Sequence, residues 1–314
     1  AWWRTVGKSA GAKLLVVAAF EKDELIGVIP FSIRKKHGVR VLRLLGHEVY
    51  YYRSFLVREP TLMPLIWQTA LEQKYFDAAN IKNIHDETEE HRFLGSRANL
   101  VRTNKVYHCE DLGLSREDML MVIAKRLRQK LRSTHRKIEQ DPDLELHYCR
   151  AEPVPQDVID FLVERKTIWA ADKKKRGVFD EKDPKAFYNE VITMNAKKGS
   201  LLLYWLKYKG EFIGADFSVV EKNIVYGHTL TYDPKGAKFA PGIYLTAEVM
   251  FWASENGLIE NNFMEGEEEY KRRFGKTHRI IHEYAYGRTI IGSLYLWLYR
   301  CLSFVRGLKE RSAE

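Results

Sequence analysis

One stretch of this sequence occurs twice, and the recurrence narrows the fold more than any other feature. Leu14 to Ile33 reads LLVVAAFEKDELIGVIPFSI, and Leu201 to Val220 reads LLLYWLKYKGEFIGADFSVV. The two align without a gap: Leu14 over Leu201, Lys22 over Lys209, Glu24 over Glu211, Ile26 over Ile213 and Gly27 over Gly214. Each is a pair of apolar runs around a short polar turn, the pattern of a β-hairpin. The second turn carries Gly210, which tight turns favour, where the first has Asp23. Any two hairpins share alternation. A common Lys-x-Glu turn followed by Ile-Gly is more than alternation, and the chain reads as two copies of one α/β unit.

The neighbouring elements agree. In the first half, Val39 to Leu45 reads as a strand, Leu62 to Ala79 as a helix after Pro60, and Ile81 to His85 as a short strand. Ser115 and Asp118 make a capping-box-like start to a long helix that Asp141-Pro142 stops after Gln140. Leu144 to Cys149 is a strand, with helices at Pro155 to Lys175 and Pro184 to Lys198. After the second hairpin come a strand (Ile224 to Thr231), a helix (Gly242 to Asn256) capped by Gly257, a strand (Glu260 to Met264), a short helix and a strand (Arg279 to Ala285). Strands mixed with helices in this order give an α/β (α+β) fold, two tandem units with mixed central sheets flanked by helices. The expected divisions are 1–114, a connecting helix 115–143, 144–289 and a terminal helix 290–314.

Length and charge bound the function. At 314 residues the chain has room for about two domains. Its net charge of +9 suits an anionic ligand, such as a phosphorylated cofactor, a nucleic acid or a membrane surface. Cys109, Cys149 and Cys301 lie far apart with no C-x-x-C spacing, which argues against a disulfide framework or cysteine zinc site and for a reducing cytosol. No signal peptide is visible, and the opening Ala1-Trp2-Trp3 reads as the inside of an element with residues upstream. The connecting helix carries Lys125, Arg126, Arg128, Lys130, Arg132, Arg136 and Lys137, with Leu120, Ile123, Leu127, Leu131 and Ile138 as its buried stripe. It is expected to be a solvated link between the halves. Ile290 to Val305 is apolar but interrupted by Arg300, and short of the ~20 residues of a membrane span. A packed terminal helix is expected. Arg306, Lys309 and Arg311 keep peripheral membrane contact open as the alternative.

The site-like region is Val225 to Gly275. The strand VYGHTLTYDP ends at Asp233-Pro234, and the loop KGAKFAPG leads into a helix. Amides at a helix start point outward and the macrodipole favours negative charge there, so this junction is an anion site, helped by Lys235 and Lys238. The next strand ends on Glu265, before Tyr270 and the cations Lys271, Arg272 and Arg273. If the two strands run parallel, Glu265 and Tyr270 come beside the anion loop. Asp216, a carboxylate amid apolar residues, is expected to have a raised pKa. His228 reads as a core residue. His278 and His282 have a metal-compatible spacing but no clear third ligand, so no metal is expected.

The order hairpin, strand, basic loop with Pro-Gly, helix, strand, then EGEEEYKRRFG resembles the GNAT acyltransferase superfamily. More closely it resembles the CelD/BcsL-type acetyltransferases associated with bacterial exopolysaccharide synthesis. The matching pieces are AWWRTVG, ELIGVIPF, RLLG, RSTHRK, Ile168-Trp169, Tyr232 to Pro234, Ala240 to Gly242 and EGEEEYKRRFG. They span almost the whole chain, and the Fem-type aminoacyl transferases, also paired GNAT-like units, are the nearest relatives implied. The resemblance implies transfer of acetyl from acetyl-CoA to an amine of a small or sugar-linked acceptor, in the cytoplasm, with no metal and no DNA. Transfer RNA enters only under a Fem-type alternative, and a non-catalytic GNAT-like binding protein is a third reading. By the resemblance, Leu230 and Tyr232 lie on the strand that pairs with pantetheine. Lys238, Phe239, Ala240, Gly242 and Ile243 hold the pyrophosphate. Tyr270 protonates the leaving thiolate, Glu265 is the candidate base and Asp216 the second. Lys271, Arg273 and Trp169 serve the acceptor. One departure stands out. The family loop reads R/Q-x-x-G-x-G/A, whereas here it reads Lys-Phe-Ala-Pro-Gly-Ile, and Pro241 has no N–H to donate.

Overall fold

The computed structural model describes residues 1–47, 54–110, 112, 115–173, 178–180, 183–266, 268–275 and 277–311, without the side chains of 122, 180 and 302–311. Glu267 and Lys175, and the side chains of Arg306, Lys309 and Arg311, lie outside the described residues.

Along the chain the elements are β1 (Lys13–Glu21), β2 (Glu24–Lys36), β3 (Val39–Leu44), β4 (Leu56–Val57), α1 (Met63–Glu72), β5 (Ala78–His85), α2 (Glu89–Gly95) and β6 (Asn99–Cys109). Next come α3 (Arg116–Val122), α4 (Lys125–Gln140), β7 (Leu144–Cys149), α5 (Gln156–Asp172), α6 (Pro184–Lys197), β8 (Leu201–Tyr208), β9 (Glu211–Glu221) and β10 (Ile224–Tyr232). The chain ends with α7 (Pro241–Glu255), β11 (Glu260–Glu265), α8 (Glu269–Phe274), β12 (Thr277–Gly287) and α9 (Ile290–Arg311). They form two compact units. The N-terminal unit is Trp2–Lys105 with Arg279–Glu314, and the C-terminal unit is Val106–His278 with Ala1.

The N-terminal unit orders its strands β1-β2-β3-β5-β12, with β3 and β5 parallel and the other pairs antiparallel. The C-terminal unit orders them β7-β8-β9-β10-β11, with β10 and β11 parallel. The end of β6 from Val106 runs antiparallel to β11. In both units a hairpin is followed by a third strand, a helix and a parallel return strand. The duplicated hairpins match in detail. Their register shifts fall between Ala19 and Phe20 and between Leu206 and Lys207, the same aligned positions. Lys22 and Lys209 both take left-handed φ, 54° and 53°. The shared glycine also has one job in each copy. A Cβ on Gly27 would come within 3.0 Å of Ile66 in α1, and one on Gly214 within 2.9 Å of Pro241 at the head of α7. Each glycine lets its crossover helix press onto the second hairpin strand.

The boundaries differ from those drawn on the sequence. β12 and α9 belong with the N-terminal unit, because β12 hydrogen-bonds along β5 from Ile281 to Gly287. The basic segment is not a link. Extended backbone at Ile123 and Ala124 breaks it into α3 and α4. Leu127 and Leu131 of α4 are buried with Tyr244, Met250 and Phe251 of α7 inside the C-terminal unit. The helix expected to Ala79 stops at Glu72, because Lys74 turns left-handed (φ 54°) and Ala78 and Ala79 open β5.

The C-terminal core follows from two nearly all-apolar elements. β9 is buried on both faces from Ile213 to Ser218, as a central strand must be. α7 is buried from Tyr244 to Ser254, the condition of a helix apolar all round.

Candidate active site

Two irregular strands create the site. β10 and β11 pair in parallel only at Ile224–Glu260, Val225–Asn261 and Tyr226–Asn262. Beyond that point each strand bends. β10 shifts register against β9 between Gly227 and Thr229, which puts His228 in a bulge. β11 shifts against β6 between Asn262 and Glu265, where Met264 adopts φ 59°. The Met264 amide donates to Asn262 Oδ1 at 3.0 Å, and Asn262 Nδ2 donates to Glu260 Oε1 at 2.8 Å, so buried polar side chains hold the kink. A bulge adds local twist and ends pairing. Two bulges just past one shared rung open a fork, with β10 running on to Tyr232.

The fork leads to the head of α7. Residues Pro234–Phe239 form a 3₁₀ turn capped by Asp233, which accepts from Lys235 N at 2.8 Å. Ala240 then takes the left-handed region (φ 51°, ψ 50°), costly for a residue with a Cβ, and turns the chain into Pro241. The first helical bond runs from Tyr244 N to Ala240 O at 3.0 Å. The amides of Gly242 and Ile243 precede it and donate to no group among the described residues. A Cβ on Gly242 would sit 3.3 Å from the Tyr232 ring and 3.7 Å from Leu230. The glycine brings these amides against the end of β10. On α5, Lys166 Nζ donates to Leu230 O at 3.3 Å and lies 3.8 Å over the Trp169 ring, and Arg165 pairs with Asp233 at 3.6 Å. Cations and two helix amides thus converge where β10 ends.

Residues 125–272 match the family model described as Acetyltransferase (GNAT) domain. That segment, just under half of the chain, is similar to GNAT acetyltransferase domains. No curated protein sequence matches the chain. Among solved structures, FemX is similar with a TM-score of 0.63 and 11% identity, over 91% of this chain and 90% of that one. The C-terminal domain of a lysylphosphatidylglycerol synthetase from Agrobacterium fabrum is similar with a TM-score of 0.57 and 13% identity, over 88% and 85%. A tandem GNAT protein from the clavulanic acid biosynthesis pathway is similar with a TM-score of 0.53 and 10% identity, over 91% and 86%. At these identities the likeness is one of fold.

Within the matched segment and its surroundings the expected site residues separate. Leu230, Tyr232, Ala240, Gly242 and Ile243 come together at the end of β10 and the head of α7. Phe239 does not join them. Its ring is buried against Tyr208 at 4.8 Å, and its carbonyl accepts the Thr134 hydroxyl at 3.1 Å, so it is a core anchor under α4. Lys238 is exposed and rests over the Tyr208 and Phe239 rings, at 4.6 and 4.7 Å. Tyr270 is half-buried against the apolar cluster of Tyr244, Phe263 and Phe274, on which Ile243 also packs. Lys271 is no surface cation. It is buried, donates to Glu265 O at 2.6 Å and pairs with Glu268 at 3.0 Å, clipping the turn between β11 and α8. Arg273 is exposed and pairs with Glu269. Trp169 lies beneath Lys166.

Asp216 is buried on the sheet face that α7 covers, opposite Leu230 on β10 and Tyr204 on β8. Burial lifts its carboxyl to about 7, against the Ser218 hydroxyl bond at 2.6 Å and the Lys166 charge. His228, read as a core residue, packs its ring 4.9 Å from Phe217 and 5.9 Å from the buried Tyr188, and it also stands in the fork's bulge, half-buried, with Nδ1 2.9 Å from Thr229 Oγ1. The Gly-His pair inside an otherwise apolar strand was the available signal. Among the described residues no group of three His, Cys, Asp or Glu side chains gathers as a metal site.

Proposed function

We propose that the C-terminal unit transfers an acetyl group from acetyl-CoA directly to the amine of a small or sugar-linked acceptor. The observation that supports this is the β10–β11 fork opening onto the Gly242 and Ile243 amides. An extended pantetheine arm has a strand edge to follow past Tyr226, and a pyrophosphate has two amides, a helix dipole and nearby cations. Pro241 removes one donor, so the cradle is narrower than the family pattern and leans more on Arg165, Lys166 and Lys235.

In this reading the acceptor amine attacks the thioester carbonyl, the C–S bond breaks, and the thiolate takes a proton from Tyr270. A phenol and an alkyl thiol have comparable proton affinities, so that transfer is nearly level. His228 or Glu265 takes the proton from the incoming ammonium. The resemblance to CelD/BcsL-type acetyltransferases supports a role in polysaccharide or cell-envelope biosynthesis, and a cytoplasmic enzyme accords with three free cysteines. Titrating acetyl-CoA against the melting temperature tests the donor, because a ligand of the native state raises it with saturation. No shift at millimolar acetyl-CoA removes CoA as the donor.

A Fem-type, aminoacyl-tRNA-dependent transfer is the second reading. It draws support from α4, whose exposed face carries Lys125, Arg126, Lys130, Arg136 and Lys137 beside the carboxylate Glu139. Steeply salt-dependent RNA binding together with indifference to CoA favours it.

A further inference from the structure

α9 packs on the N-terminal unit with one side and leaves an apolar stripe on the other. Leu296 is buried with Ala78 and Ala285, and the Tyr299 hydroxyl donates to the buried Glu283 carboxylate at 3.0 Å. At Gly292 the helix backbone presses so close that a Cβ would lie 1.9 Å from Asp77 O. The first turn is held too, by Thr289 Oγ1 accepting from Gly292 N at 3.1 Å. The helix therefore cannot roll to bury its far side. On that side stand Ile290, 89% exposed, then Ile291, Leu294, Trp297, 61% exposed, and Leu298. The spacing is that of one helical face.

Strand register carries the same sheet face outward from α9. Ala78 pairs with Val41 and Val41 with Arg34, and Ser32, on the same side, pairs with Leu14. Leu14 and Val16 are about half exposed on that face, whereas their aligned counterparts Leu201 and Leu203 are fully buried in the C-terminal unit. Exposed apolar side chains therefore also stand on that sheet face, with Arg34 between them and α9. The charge of α9 is mostly positive, with Glu310 and Arg311 closing the helix. From Ile290 to Lys309 the sequence has no Asp or Glu, while Arg300, Arg306 and Lys309 are cations. No helix of the described residues is long and apolar enough to cross a membrane.

We propose that α9 seats the N-terminal unit on a bilayer surface rich in anionic lipid, with the Ile290-to-Leu298 stripe at the acyl boundary and Arg300 at the headgroups. An amphipathic helix with Trp and Leu on one side and four cations against the single acid Glu310 has the composition that interfacial binding requires. Helix orientation is preset by the packing against β5 and β12, so no folding accompanies docking.

Flotation of the whole chain with vesicles of phosphatidylcholine, and of phosphatidylcholine mixed with phosphatidylglycerol, tests this. Binding is expected to the mixed vesicles, to weaken with salt, and to fall by more than about tenfold in Arg300→Glu. The pair Leu294→Glu with Trp297→Glu is expected to abolish it at an unchanged melting temperature. Leu65→Glu, an exposed site on α1 of the same unit, is expected to leave it intact. Failure of the native chain to float with the mixed vesicles overturns the proposal. So does a concentration-dependent dimer that the paired substitution dissolves, since the stripe then belongs to a second copy.

Discussion

The two units share a hairpin, a crossover helix and a parallel return strand, yet they differ where the third strand ends. β3 has six residues, and its parallel pairing with β5 covers Val41 and Leu42, so it stops two residues later. β10 has nine residues and runs six beyond its last parallel rung, through a bulge and into the head of α7. Under the proposed function, the N-terminal copy keeps a scaffold's strand and the C-terminal copy a strand edge for a ligand. On that proposal, a few residues after one rung separate a supporting copy from a catalytic one.

The largest effect should come from the α7 head. Gly242→Glu sets a carboxylate beside the two amides and a Cβ against Tyr232, and acetyl-CoA affinity is expected to fall by about 100-fold or more, read by calorimetry. Leu65→Glu on α1 should leave it unchanged. Equal losses from both would erase the distinction between the units.

Next comes the chemistry. Tyr270→Phe is expected to lower kcat by about 100-fold with little change in acetyl-CoA affinity, whereas an unchanged kcat removes it from the mechanism. His228→Ala and Glu265→Gln separate the candidate bases, because the residue that takes the proton should also flatten the acidic limb of the rate profile.

Smaller and shared by both units is the helix-to-strand glycine. Gly27→Ala and Gly214→Ala should each cost about 1–3 kcal/mol by overpacking. Gly214→Ala should cost more, since it meets Pro241 Cβ, whereas Gly27→Ala meets the movable tip of Ile66. Only Gly214→Ala should also raise the KM for acetyl-CoA. Chemical denaturation and initial rates check both.

The last effect, confined to stability, is a pH dependence. With its pKa raised to about 7, folded Asp216 holds a proton between about pH 4 and 7 that the unfolded chain has lost. Its contribution to stability is therefore present in acid and lost as pH rises through 7. Asp216→Asn should flatten that decline, and parallel melting curves of the two proteins from pH 5 to 8, measured to about a degree, would show no such burden at Asp216.

Much of this was legible in residues. The hairpin repeat, the Ser115 cap, the Gly257 stop and the Pro-Gly helix head are local signals, and each falls where its chemistry requires. What escaped notice was non-local. Nothing in Arg279 to Tyr286 announces that β12 pairs with β5, because strand partners nearly two hundred positions apart leave no shared pattern. The contacts of the Lys271 and Phe239 side chains likewise exist only once the chain has folded. A lysine between charges looks solvated until a carbonyl and a carboxylate close around it, and a loop phenylalanine looks available until α4 lies on it. The fork itself depends on Met264 turning left-handed, a conformation that methionine gives no reason to expect.

Amide hydrogen exchange with and without acetyl-CoA asks the central question most directly. Slower exchange is expected in peptides covering His228 to Ile243, with Gly242 and Ile243 most protected, and none in the aligned Val39 to Leu65 region of the other unit. Protection confined to the N-terminal unit, or no change at the α7 head under saturating acetyl-CoA, would contradict the assignment of the donor site to the β10–β11 fork.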